Sequence, residues 1–285
     1  MTNLTSSEQL EIDTANESGR PTVMFIHGLW LLSSSWDRWR ALFEARGYAT
    51  IAPRWPDDPD TVEEARRDPD VFAHKMIGLV TDHYLEAIDR LDTPPSIIGH
   101  SFGGLIAQRI AGLGRSRATI GIDPAQFRGV LPLPISTLKS SSAVLANPRN
   151  VGRAIALTPE QFKYGWANNL SEEESDALYQ EFHVAAAGAP IFQAASANFN
   201  PWSEAQVDTH NADRGPLLII AGAADHTIPL PITRAMYAIQ AKNPGLTEII
   251  EVPDRGHSLT IDHGWEEVAV IAADFLDRAL VPATA

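Results

Sequence analysis

The sequence predicts an α/β protein: a mostly parallel central sheet covered by helices on both faces, with a mostly helical cap inserted late in the sheet. Three observations lead there. Short apolar runs ended by Gly, Pro or Asp recur along the 285 residues, as strands buried on both faces do. Amphipathic helical patterns alternate with them. The alternation then lapses from Gln126 to about Asp213 and resumes. The expected division is 1–125 for the first part of the core, 126–213 for the cap and 214–285 for the second part.

Six runs carry the strand signal: Thr22–Gly28, Tyr48–Pro56, "SIIGHS" from Ser96, Ala118–Pro124, Pro216–His226 and Thr247–His257. Helical spacing covers Trp36–Arg46, Asp70–Leu91, Gly103–Leu113, Pro231–Ala241 and Gly264–Leu280. Within the insertion, Pro159–Trp166 and Glu172–Ala187 read as helices. "QLEIDT" near the N-terminus alternates like one short strand. The acidic stretch holding Asp57, Asp58 and Asp60 reads as a solvated rim.

Composition narrows the function. The net charge of −14 disfavours polyanionic partners, so no nucleic-acid role is expected. With no cysteine, thiol catalysis, disulfides and Cys-ligated metals are excluded. No apolar run reaches the roughly 18 residues of a membrane span. The polar, acidic N-terminus lacks a signal-peptide apolar core, so a cytoplasmic protein is the expectation. The oligomeric state is open, and a homo-oligomer is compatible with the sequence.

"GHSFG" carries the chemistry. A Gly-x-Ser-x-Gly between a strand and a helix is a tight turn that lifts a serine hydroxyl from the C-terminal end of the sheet. The flanking glycines, Gly99 and Gly103, let strand and helix approach. Ser101 is the candidate nucleophile and needs a base. His257, after the last strand, is the candidate base, and Asp225, after the strongest strand, is the orienting acid. Asp123 is the alternative acid. His226 and His263 are lesser candidates for the base, and His100 is a packing neighbour. Asp254 is a turn former. The remaining histidines show no metal-ligand spacing, so no metal is expected, and no dinucleotide fingerprint occurs.

In "FIHGLW", "GHSFGG", "LIIAGAADHTIP" and "DRGHS", in that order, the chain resembles the α/β-hydrolase superfamily. The resemblance implies a Ser101–His257–Asp225 triad and an oxyanion hole from the backbone N–H groups of Leu29 and Phe102. It further implies His27 and Gly28 as supports of the oxyanion loop. Trp30 is a candidate pocket wall. Phe127, Leu131, Phe162 and Trp166 are candidate substrate contacts in a cap over the site. The implied activity is hydrolysis of a small or medium carboxylic ester or lactone with an apolar portion, without a cofactor. Amide, C–C bond and perhydrolysis chemistry use the same framework. A non-catalytic small-molecule receptor on a retained scaffold is the reading from another class.

Overall fold

The computed structural model describes residues 4–280. In chain order its main elements begin with α1 (Ser6–Ser18), β1 (Thr22–Ile26), α2 (Asp37–Ala45) and β2 (Ala49–Ile51). Then come α3 (Val62–Arg67), α4 (Ile77–Asp89), β3 (Ser96–His100), α5 (Phe102–Gly112) and β4 (Ala118–Ile122). The insertion contributes α6 (Ile135–Leu145), β5 (Ala154–Ile155), α7 (Pro159–Gly165), α8 (Glu172–Phe182), β6 (Ala186–Ala187) and α9 (Ala189–Ser196). The chain ends with β7 (Leu217–Gly222), α10 (Leu230–Gln240), β8 (Thr247–Val252) and α11 (Trp265–Ala279).

Six strands form one sheet in the order β2-β1-β3-β4-β7-β8, with every pairing parallel. Successive side chains of a strand point to opposite faces, and both faces are apolar here. Val23 and Phe25 join Ile98, Ile120 and Leu218 under α2 and α11. Met24 and Ile26 join Ile97 and Ile219 under α4, α5 and α10, in a cluster that runs without a break into the cap. Parallel neighbours need crossover connections, and the helices that supply them bury both faces of the sheet.

The N-terminal segment departs from the sequence reading. "QLEIDT" lies inside α1, not in a strand. Thr5 caps this helix through a reciprocal box with Glu8, and Glu8, Ile12 and Ala15 recur at helical spacing on its buried side. Of the two apolar residues that alternate, the helix buries Ile12 and leaves Leu10 exposed, and the cap decides. The helix also covers the open edge of the sheet: Glu11 accepts the N–H of Ala52 at 3.1 Å and Glu8 accepts that of Arg54 at 3.1 Å.

Two long helical expectations are broken. Asp70–Leu91 becomes a 3₁₀ turn at Pro69–Phe72 and then α4, with His74 between them at φ 62°. Glu172–Ala187 ends at Phe182, and Ala186–Ala187 pairs antiparallel with Ala154–Ile155. Neither α6 nor α9 was legible as a helix: "TLKSSS" is serine-rich, and α9 carries a proline in its first turn.

Within the cap, the buried ring of His183 stacks on Tyr179 at 4.5 Å and accepts the N–H of Leu157 through Nε2 at 3.1 Å. Burial, helped by nearby Arg66, pushes this imidazole down from its ordinary 6.5 to about 4. Between those values the unfolded chain binds a proton that the folded chain refuses. Stability is therefore complete above about pH 6.5 and is lost as pH falls toward 4. Replacing His183 with Gln should shrink the loss of urea-unfolding stability between pH 7 and pH 5 by about 1–2 kcal/mol, measured in parallel on both chains.

Candidate active site

The strand β3 and helix α5 meet at Ser101 in one sharp turn. Ser101 has φ 55° and ψ −121°, a conformation unfavourable for a residue with a side chain. Its neighbours hold it there: its N–H donates to Ile122 O at 3.0 Å, and its carbonyl accepts the N–H of Ala125 at 2.8 Å. A Cβ on Gly99 would strike the backbone of Gly103, and one on Gly103 would strike the carbonyl of Ile26. Only a chain without side chains at both positions turns this tightly.

Ser101 is thereby aimed at two loops that follow later strands. Ser101 Oγ–H donates to His257 Nε2 at 3.0 Å, and His257 Nδ1–H donates to Asp225 Oδ2 at 2.6 Å. The other Asp225 oxygen accepts the N–H groups of Thr227 at 2.6 Å and Ile228 at 3.0 Å. Ser101 is 4% exposed and His257 is fully buried. The carboxylate fixes which ring nitrogen carries the proton and leaves Nε2 free to accept one. An alcohol, a base and an acid so linked can deprotonate a hydroxyl for attack on a carbonyl.

The competing histidines are occupied elsewhere. His226 contacts Tyr164 O through Nδ1, and His263 is exposed and contacts Glu174. His100 donates from Nε2 to the carbonyl of His257 at 2.9 Å, which steadies the base loop. Burial first, and neighbouring His257 second, hold the His100 imidazole well below its ordinary value. Asp254 sits in a turn at φ 56°. Asp123 is close by: its carboxylate oxygen, one from Asp225 and a ring nitrogen of His257 lie within 4.8 Å of one another. Such a trio could ligate a metal, but Asp225 and His257 are already committed to each other.

The loop after β1 runs against the serine. A Cβ on Gly28 would lie 2.8 Å from Ser101 Cβ and 3.0 Å from His100 O, so the backbone of Gly28 passes beside Ser101. Phe102 is the first residue of α5, where helix N–H groups lack intrahelical acceptors. His27 Nδ1–H donates to Gly28 O at 2.9 Å, and the carbonyl of His27 accepts from Trp55 Nε1 at 3.1 Å.

The acidic stretch is corrected here. Asp57 and Asp60 belong to the loop, but Asp58 is buried, bonded to Lys75 Nζ and 3.4 Å from His27 Nε2. Burial pushes Asp58 up to about 6 against the pull of Lys75, and pushes His27 down to about 4. Three consecutive-looking acids gave no sign that one turns inward, because its partner lies 17 residues away.

The cap contributes aromatic surface and two unforeseen links. The Trp166 ring stands edge-on to His257 at 4.7 Å, stacks on Phe162 at 5.7 Å and lies 5.5 Å from His100. Phe162 backs Trp166 and packs on Tyr179 and His183. Phe127 is buried in the same cluster. Leu131 is 75% exposed; it stands just before Pro132 in a segment without regular structure. Trp30, at φ 64°, ties the Gly28 loop to the cap through its Nε1–H to Ile155 O at 2.9 Å. Asn168 donates to Ala224 O at 2.9 Å and Asn169 to Asp254 O at 2.6 Å. The cap thus grips both the acid loop and the base loop. An Asn-Asn pair has no spacing signature that could have announced this.

A parallel sheet with a serine on a strand–helix elbow, followed in chain order by an acid and a histidine, defines the class of protein. The chain belongs to the Alpha/beta hydrolase family, which it matches over residues 23–271. Among solved structures it is similar to the monoacylglycerol lipase of Paleococcus ferrophilus, with TM-score 0.63 and 20% identity over 92% of this chain and 96% of that one. The pyrethroid hydrolase of Sphingobium faniae JZ-2 gives 0.63 and 18% over 93% and 99%. Polyneuridine aldehyde esterase gives 0.63 and 14% over 90% and 99%. At these identities the likeness is one of fold. No helix among the described residues is long and apolar enough to cross a membrane.

Removing the buried cation under the Gly28 loop should be costly. Lys75→Met leaves Asp58 buried and unpaired and should lower unfolding stability by about 3 kcal/mol. Adding Asp58→Leu should restore part of the loss, read from urea midpoints of the single and double variants.

Proposed function

We propose that the protein is a serine hydrolase that cleaves a small or medium carboxylic ester or lactone through an acyl-enzyme. The observation that carries this reading is the unbroken relay from Asp225 to His257 at 2.6 Å and from His257 to Ser101 at 3.0 Å. His257 takes the Ser101 proton as the hydroxyl attacks the carbonyl carbon. The oxyanion meets the N–H groups of Leu29 and Phe102, donors of a kind worth about 3 kcal/mol each in the transition state. His257 then protonates the departing alkoxide. A water, deprotonated by the same ring, releases the acid and restores Ser101. Asp225 stays ionised and stabilises the imidazolium.

Alkoxides leave more readily than amines, which favours esters and lactones over amides. The Trp166–Phe162 stack beside His257 supports a substrate with an apolar portion. Ser101 keeps little open surface, so in this reading the cap, 126–213, shifts to admit substrate.

The test is a panel of short and medium acyl esters and lactones, with intact-mass detection of a fluorophosphonate adduct. Ser101→Ala should abolish the adduct and lower kcat by about 10⁴-fold or more with KM little changed. Full activity in that variant would remove the nucleophile assignment.

A further inference from the structure

Behind the triad lies a second carboxyl group with no part in the reaction above. Asp123 follows β4 and is fully buried. Its Oδ1 accepts the N–H of Gly222 at 2.8 Å. Its Oδ2 is buried and has no donor. The backbone there is strained, with φ 38°, and the side chain stands beside Asp225 and His257, with one ligating atom from each of the three within 4.8 Å of the others. A Cβ on Gly222 would come to 3.0 Å from Asp123 Oδ2, so the glycine leaves room for it.

Two buried carboxyl groups this close do not both ionise. Their surroundings decide which one keeps the proton. Asp225 receives two backbone N–H bonds and the His257 ring N–H, all of which favour its charged form. Asp123 receives a single N–H. The nearby titratable groups are Asp225, His257 and His100. Burial and then the charge of Asp225 drive the Asp123 carboxyl well above the usual carboxylate range.

We infer that Asp123 is a positioning residue: its neutral carboxyl donates a hydrogen bond that steadies Asp225, and it becomes the carboxylate partner of His257 when Asp225 is removed. One proton serves the pair. It stays on Asp123 during turnover, while the proton that moves passes between Ser101, His257 and the leaving group. The inference rests on the hydrolase reading for its kinetic part alone.

The test uses the full chain. Infrared difference spectra of wild type minus Asp123→Asn at pH 7 should show a carboxylic-acid C=O band that shifts in D₂O. Loss of carboxylate bands instead would overturn the inference. In hydrolysis of p-nitrophenyl butyrate, Asp123→Asn, whose amide can donate in place of the acid, should stay within about threefold of wild type. Asp123→Leu should lose about tenfold or more in kcat. Asp225→Asn should keep about 1% of wild-type kcat, with Asp123→Asn/Asp225→Asn falling about 100-fold further. Equal rates for that single and double variant would overturn the substitute role. A wild-type chain that neither hydrolyses the ester nor takes up a fluorophosphonate would defeat the hydrolase reading, and the infrared result would still decide the protonation of Asp123.

Discussion

The strained turn at Ser101 is the constraint on which the site depends. A serine at φ 55° is not held by its own preferences. It is held by the contact of Gly99 with Gly103, by the contact of Gly103 with Ile26, and by hydrogen bonds from the end of β4. The sheet and α5 therefore over-determine a conformation that an isolated peptide would abandon. The same packing brings Gly28 beside the hydroxyl.

Around that turn the protein buries polar groups in pairs. His257 has Asp225 and Ser101, His100 has the carbonyl of His257, and Asp58 has Lys75. Each pair avoids the cost of a lone buried charge or unmet donor. Each also couples one part of the site region to another: the base loop to β3, and the loop after β2 to the segment before α4. Preorganisation of this kind is what acyl transfer requires, since donors already in place need not reorganise as charge develops.

The cap is attached where chemistry would take place. Its contacts through Trp166, Asn168 and Asn169 fall on the loops that carry Asp225 and His257, and Trp30 reaches it from the Gly28 loop. A displacement of the cap would therefore be felt at both loops and at the ring of His257. The aromatic pair Phe162–Trp166 makes this a packed joint, with an apolar cluster continuous from the sheet.

The sequence by itself determined the six sheet strands, the elbow, and the order of serine, acid and histidine. Those features are local: apolar runs, breakers and a pentapeptide between a strand and a helix. It did not determine that "QLEIDT" is helical, where capping by Thr5 outweighed alternation. Nor did it show that Asp58 turns inward, that Leu131 stays in solvent, or that Asn168 and Asn169 bridge cap and core. Tertiary structure decided these, because each depends on a partner distant in the chain. A side chain's burial and a hydrogen bond's acceptor are properties of that juxtaposition, and no spacing within one segment encodes them.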